Sequence, residues 1–287
     1  MEHVHTYIEN IAKCEDVLSV LAITQPEQNG LFADGAHRIY LVISDRPGAN
    51  WSTNYFVFAG CPIVEHRFSR WQIERWAMHG LDEQMARLFA SARIVHDDGD
   101  YMKRKREQLL KLPSHLQKLQ ICKEYSLFLR FFTEAKELFR KGHILDCFLS
   151  LQQSLRRWAR LVAYEMNEYP DHSVWMQIKQ FDSAVYKLYE ELVIGNEPLA
   201  KRIELLMIPI EVGLLAKLEP SSQYIIDILG TRNKPWLLSE LFRLPQIDGS
   251  GIELHLLLDK MVKRSLVQEI ILSGAGDYSE KAYLLSD

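Results

Sequence analysis

Asp34-Gly35-Ala36-His37-Arg38-Ile39-Tyr40-Leu41-Val42-Ile43-Ser44-Asp45 is the stretch that decides the fold of the first part of the chain. Ile39 to Ile43 form an apolar run of the length of a buried strand. Turn residues flank the run, with Asp34-Gly35 before it and Asp45-Arg46-Pro47-Gly48 after it. The stretch therefore predicts a central strand of a sheet.

Further strands and helices are predicted on both sides of this strand. Apolar periodicity predicts one amphipathic helix over residues 5–23. The other expected elements up to residue 113 are strands at 55–58, 63–68 and 93–96, helices at 70–78 and 81–91, and a last helix that ends at Pro113. Strands and helices mix in this part of the sequence, so it predicts an α+β domain with a mixed sheet over residues 1–113.

From residue 114 the pattern becomes purely helical. Helices are expected over 121–139, 144–162, 173–194 and 198–218, and their short connections predict an antiparallel four-helix bundle over residues 114–219. Residues 220–287 then show a short helix near Trp236, an amphipathic helix over 252–267 and a hairpin pattern over 270–285. This order predicts a small winged helix-turn-helix module.

Composition excludes several classes of protein. The 287 residues are 47% hydrophobic and 25% charged, as in ordinary globular proteins, and a net charge of −4 argues against whole-molecule attraction to nucleic acid or an anionic membrane. No apolar run approaches the ~20 residues that span a bilayer, and the N-terminus has no signal-peptide pattern. The four cysteines have no metal-binding spacing. We expect a cytoplasmic protein that has no membrane partner and binds no metal.

The order of elements in residues 28–112 resembles the nucleotidyltransferase superfamily that includes kanamycin nucleotidyltransferase and DNA polymerase β. The stretches that carry the resemblance are Asp34-Gly35 with strand 39–43, Ile63-Val64-Glu65-His66-Arg67-Phe68, and Ile94-Val95-His96-Asp97-Asp98-Gly99-Asp100-Tyr101. The resemblance implies a Gly-Ser turn that holds phosphates and two aspartates on one strand that hold Mg²⁺. In the superfamily a third carboxylate on a neighbouring strand completes the metal site, and the two metal ions bind the attacking and leaving oxygens of the reaction.

The sequence departs from this pattern where the metals would bind. Laid on the family pattern, the two metal aspartates fall at about Arg38 and Tyr40, and the phosphate turn is reduced to Gly30-Leu31. Glu65 takes the position of the third carboxylate and is predicted to be a vestigial catalytic residue. Gly30 and Arg38 are kept as candidate ligand-binding residues. We expect no cofactor; Mg²⁺ and a nucleotide are expected only if the chain is an active enzyme.

The whole chain also resembles a bacterial nucleotidyltransferase-like family. Its members join such a domain to a bundle similar to nucleotidyltransferase substrate-binding domains, followed by a C-terminal helix-turn-helix. The stretches that carry this likeness are 142–146, 158–161, 185–192 and 258–266. In active relatives the bundle faces the nucleotide, so the resemblance implies a ligand site on its second helix. The candidate residues there are Gln152, Gln153, Arg156 and Arg160. The planar guanidinium groups of the two arginines suit a small anionic ligand or a nucleotide. The alternative is that these residues pair with Glu165 or other acids of the bundle.

The C-terminal module is the third candidate site. Lys260, Lys263 and Arg264 cluster on one flank of its second helix and are the nucleic-acid candidates. Residues 220–287 nevertheless hold seven lysines and arginines against nine acids, and DNA affinity depends on neutralising phosphates. A module that docks protein or supports a homodimer is an equal alternative to a DNA reader.

These observations predict a catalytically degenerate nucleotidyltransferase-like protein that binds a ligand or partner and has a regulatory role. Two alternatives stay open. The first is an active nucleotidyltransferase with a non-standard metal site that uses Glu65. The second is a transcription regulator that binds DNA through its C-terminal module.

Overall fold

The structure is a computed structural model of the full chain. It describes residues 2–14, 16–24, 38–45, 51–273 and 279–286. The chain divides into two compact units. One comprises Met1–Pro113 with Asn167–His172, and the other comprises Ser114–Met166 with Ser173–Asp287.

The first unit is a mixed α/β assembly built on a five-stranded sheet. Its elements are α1 (Glu2–Ala12), β1 (Val17–Thr24), β2 (Arg38–Ser44), β3 (Ser52–Phe58), β4 (Cys61–Ser69), α2 (Arg70–His79), α3 (Glu83–Ser91), β5 (Arg93–Asp97) and α4 (Tyr101–Leu110). The strand order is β3-β4-β2-β1-β5, with β2 and β4 parallel and the other pairs antiparallel. The predicted α+β class and mixed sheet are confirmed.

The predicted helix over residues 5–23 is wrong in its second half. The helix ends at Ala12, and β1 begins at Val17 and pairs with both β2 and β5. The run from Val17 to Ile23 is apolar at nearly every position because both faces of this strand are covered. Such a run satisfies helical and strand spacing equally.

Two apolar layers cover the two faces of this sheet. One face carries Leu21, Leu41 and Phe68 and packs against α2, α3 and α4. The opposite face carries Val20, Tyr40, Val42 and Ile63 and packs against α1. Because side chains alternate along a strand, Arg38 and Tyr40 belong to the face that α1 covers.

The second unit is helical in its first two-thirds. Its helices are α5 (Ser114–Arg140), α6 (Ile144–Glu165), α7 (Val174–Phe181), α8 (Ser183–Ile194) and α9 (Leu199–Ser221). The single segment predicted over 173–194 is divided at Asp182. The Asp182 carboxylate accepts hydrogen bonds from the backbone N–H groups of Ala184 and Val185, so it caps a new helix.

The last part of the chain packs in the same unit. Its elements are α10 (Gln223–Leu229), β6 (Trp236–Leu237), α11 (Leu238–Arg243), α12 (Leu254–Lys263), β7 (Val267–Ser273) and β8 (Ser279–Leu285). The three strands pair antiparallel in the order β6-β8-β7. Helix α10 and strand β6 were not predicted. The division into domains at 113 and 219 and the winged helix-turn-helix stay predictions.

Among the described residues, none of the helices combines the length and the apolar character needed to cross a bilayer.

Candidate functional site

The register of β2 against β4 places Glu65 directly beside Tyr40. The two strands run parallel, with Arg38 opposite Ile63 and Tyr40 opposite Glu65. Paired residues of parallel strands point to the same face of a sheet, so Tyr40 and Glu65 share the face that α1 covers. This is the face on which the resemblance lays the metal carboxylates.

Glu65 is buried and its two oxygens are engaged by neighbouring donors. The Tyr7 hydroxyl donates to Oε2 at 2.5 Å, Arg67 Nε donates to Oε1 at 2.6 Å, and Asn54 Nδ2 donates to Oε1 at 3.3 Å. Burial alone would raise the pKa of this carboxyl, but the hydrogen bonds from Arg67 and Tyr7 outweigh it and leave the pKa below its usual range. Glu65 is therefore a carboxylate whose charge is already paired within the unit.

Helix α1 places a tyrosine over this carboxylate. The Tyr7 ring centroid lies 4.8 Å from that of Tyr40, 5.6 Å from that of Phe56 and 5.3 Å from that of Phe58. Ile8 and Ile11 belong to the same apolar cluster. A metal ion that bound Glu65 would have to displace the Tyr7 hydroxyl and the Arg67 guanidinium, and would enter an apolar layer.

The residues of this face do not fit a magnesium ion. Mg²⁺ requires hard oxygen ligands, usually carboxylates, and Arg38 supplies none. Tyr40 is fully buried, and burial raises the pKa of its hydroxyl, so the phenol remains neutral. Throughout the part of the chain that the structure describes, His, Cys, Asp and Glu never gather in a group of three or more that could hold a metal.

The other two candidates of the first unit are placed as follows. Gly30 lies outside the described residues. Arg38 is the first residue of β2 and is half-buried at the rim of the α1-covered face.

The four α6 candidates separate into two pairs. Gln152 and Arg160 are engaged inside the unit: Gln152 Nε2 donates to the Tyr189 hydroxyl at 3.3 Å, and Arg160 Nε donates to Glu124 Oε1 at 2.8 Å. Gln153 and Arg156 are exposed. Arg160 is thus part of the internal structure, while Gln153 and Arg156 remain on the surface.

Glu124 is a buried residue that the sequence interpretation missed. Its side chain is 1% exposed and is paired with Arg160 and also with Arg157, whose Nη1 lies 3.2 Å from Glu124 Oε2. The signal was present in the sequence, because Glu124 lies one helical turn from Ile121 and from Phe128 on the apolar side of α5. Glu165, one of the acids named as an alternative partner of the α6 candidates, binds Lys217 at 2.6 Å.

The basic candidates of the C-terminal part form no free cationic face. Lys263 is paired with Asp259 at 2.7 Å on its own helix. Of the three candidates only Arg264 is exposed and has no charged partner at ion-pair distance among the described residues. Lys260 is half-buried. Burial lowers the pKa of its amine, although the nearby Glu211 carboxylate raises it.

The beginning of α12 is fixed against α5. The backbone N–H of Glu253 donates to Ser126 Oγ at 3.0 Å, and Arg130 Nη1 lies 2.9 Å from the Glu253 carboxylate. Leu254, Leu257, Leu258 and Met261 bury the inner side of α12 in the same core as α5. In helix-turn-helix proteins the N-terminal end of the second helix is the end that reads bases. Here that end contacts the protein.

Two family models match the chain. Residues 1–117 match the family described as nucleotidyltransferase-like, and residues 117–217 match the family described as YgxA-like substrate binding domain. The chain therefore carries a region that matches nucleotidyltransferase-like domains, followed by a region that matches YgxA-like substrate-binding domains. The predicted resemblance is confirmed for these two parts; both matches end before residue 220, so the helix-turn-helix predicted over 220–287 stays a prediction.

Two individual relatives span nearly the whole chain. The protein called "Uncharacterized protein YgxA" of Bacillus subtilis (strain 168) is 24% identical over 252 residues, which are 88% of this chain and 85% of that protein. The crystal structure of a nucleotidyltransferase-like protein from Exiguobacterium sibiricum 255-15 superimposes with a TM-score of 0.73 at 22% identity, covering 99% of this chain and 98% of that one. The second likeness shows a shared fold over the full length.

Proposed function

We propose that this protein is a catalytically degenerate nucleotidyltransferase-like protein that acts by binding a small anionic ligand on its helical domain. The observation that carries the proposal is the state of Glu65. It is the one carboxylate at a family metal position, and it is paired with Arg67 and Tyr7 beneath α1. Two-metal phosphoryl transfer needs several free carboxylates at one point, and the described residues of this face offer none.

The ligand site is proposed on the outer surface of α6. Arg156 and Gln153 are exposed on the domain whose family is described by substrate binding. They are three residues apart on a helix, so their side chains are neighbours. A guanidinium beside an amide can bind phosphate or carboxylate oxygens through several N–H donors. Arg160 and Gln152 support this surface from inside rather than contacting the ligand.

The C-terminal part is proposed to be a winged helix-turn-helix that docks on the protein itself. Its order of helices and strands, with the sheet β6-β8-β7 closing the module, is the observation that favours this class. The DNA-reading alternative has less support, because the first turn of α12 is bound to Ser126 and Arg130. Regulation would then act through this docked module.

The four cysteines are free thiols, which suits the reducing cytoplasm.

The ligand proposal predicts metal-independent stabilisation by anions. ATP or pyrophosphate, with EDTA present, should raise the melting temperature of the full chain in a thermal shift assay. Arg156→Ala and Gln153→Ala should each reduce the rise, because each removes N–H donors from the site.

Arg140→Ala is the matched control, because Arg140 is an exposed arginine at the end of α5. The proposal is wrong if neither anion raises the melting temperature. It is equally wrong if the rise is the same in Arg156→Ala and in the wild type.

A further inference from the structure

Helix α9 is apolar on its outside as well as on its inside. Its inner residues Ile203, Leu206, Ile210, Leu214 and Leu218 are buried in the core of the second unit. On the opposite side Leu205, Ile208 and Val212 are 56%, 72% and 61% exposed, and these three are called here the outer stripe. A helix that is apolar all round is normally covered on all sides, and contiguous exposed apolar side chains mark interaction surfaces.

The outer stripe is bounded by charges of opposite sign. Lys201 lies seven residues before Ile208, and Glu219 lies eleven residues after it. These separations are about two and about three helical turns at 3.6 residues per turn, so both charges lie on the same side of α9 as Ile208. Both residues are exposed and therefore extend the same face. The stripe thus has a positive end near the start of α9 and a negative end near its finish.

Each of these charges is unfavourable for its own helix. The first turn of α9 contains no acid and the last turn contains no base, so Lys201 faces the positive end of the helix dipole and Glu219 faces the negative end. Lys201 is compensated by an exposed pair with Glu204 at 2.8 Å and by the nearby charge of Glu197. Against a second α9 that runs in the opposite direction, both charges would meet the favourable dipole end and each other.

We propose that the outer stripe is a dimer interface that pairs antiparallel with the same stripe of a second copy of this chain. If Lys201 of one copy lies opposite Glu219 of the other, the two-fold axis crosses α9 at the level of Ile210, midway between them. Ile208 of one copy then lies opposite Val212 of the other. A two-fold axis of this kind makes a closed, self-complementary interface. Three exposed apolar side chains bury much less than the ~800 Å² per partner of a standard interface, so we expect a weak, concentration-dependent dimer.

Sedimentation velocity over a concentration series tests the interface. The full chain should show a monomer–dimer equilibrium, and Ile208→Glu should raise the dissociation constant about 20-fold, because it brings two carboxylates into an apolar contact. Met176→Glu is the matched control: Met176 is 60% exposed on α7, away from the stripe, and its replacement should leave the equilibrium unchanged. A wild type that stays monomeric at every concentration, or equal effects of the two variants, would overturn the proposal.

Charge reversal tests the antiparallel register. Lys201→Glu and Glu219→Lys should each weaken the dimer about tenfold, because each sets like charges opposite one another. The double variant should recover most of the association, since the reversed charges again pair across the interface, although each then meets the unfavourable dipole end of the partner helix. Lys201→Glu puts an acid in the first helical turn, which suits the dipole, so circular dichroism should show an intact fold. A double variant that dimerises no better than the single variants contradicts the antiparallel pairing.

Discussion

Glu124→Gln is expected to lower the free energy of unfolding by about 2–3 kcal/mol. The change keeps the shape of the side chain and removes the negative charge that holds Arg157 and Arg160. Breaking a buried ion pair costs about 3–5 kcal/mol, because a buried charge loses its partner. The smaller value is expected here because the two arginines are 28% and 17% exposed and regain some hydration.

The control for this prediction lies on the same helix. Glu137 pairs with Arg140 and Lys141 at the exposed end of α5, and exposed pairs contribute little to stability. Urea denaturation should therefore show a much larger loss of unfolding free energy for Glu124→Gln than for Glu137→Gln. Glu137→Gln should change the unfolding free energy by no more than about 0.5 kcal/mol. If the two variants have the same stability, Glu124 does not hold Arg160, and Arg160 returns to the ligand-binding candidates.

Gly213→Ala is expected to destabilise the protein by about 1–2 kcal/mol, although alanine is the better helix former. A Cβ atom on Gly213 would lie 2.0 Å from Cη2 and 2.5 Å from Cζ2 of Trp158. Trp158 cannot move away freely, because it is buried and its ring is stacked on that of Phe128, with the ring centroids 5.1 Å apart. Overpacking of this kind costs about 1–3 kcal/mol or more, which outweighs the ~1 kcal/mol gained in helix propensity.

A double-mutant cycle with Trp158→Phe tests the cause. Phenylalanine lacks the outer ring atoms that the new methyl group would contact, so in that background Gly213→Ala should be neutral or stabilising. Thermal or urea denaturation of the wild type, the two single variants and the double variant gives the coupling free energy between Gly213→Ala and Trp158→Phe. An equal loss of stability in both backgrounds would show that the glycine is needed for a reason other than Trp158.

Much of the first unit could be predicted from local sequence. The run Ile39 to Ile43 predicted the central strand, and the strands predicted at 55–58, 63–68 and 93–96 fall within β3, β4 and β5. The failure at residues 5–23 has a physical reason. Ile8, Ile11, Val17, Leu18 and Leu21 fit helical spacing, but whether Val17 to Ile23 becomes a helix or a strand depends on β2 and β5, which are distant in sequence.

The contacts of the candidate site could not be predicted in the same way. The sequence placed Glu65 at a carboxylate position, but its partner Tyr7 is 58 residues away and belongs to the helix that was misjudged in length. Arg160 illustrates the same limit, because its partner Glu124 lies 36 residues earlier on a neighbouring helix. Ion pairs between distant elements depend on packing, and a single sequence shows only the charges that are available.

The central claim is that the α1-covered face of the sheet, with Arg38 and Tyr40 beside a paired Glu65, does not hold the metals of nucleotidyl transfer. Isothermal titration of the full chain with Mg²⁺ tests it most directly, without ATP because ATP itself chelates Mg²⁺, and with Glu65→Gln as the matched variant. We expect no Mg²⁺ binding tighter than the millimolar range, and the same result for Glu65→Gln. A micromolar dissociation constant for Mg²⁺ that is lost in Glu65→Gln would contradict the account and identify an active metal site.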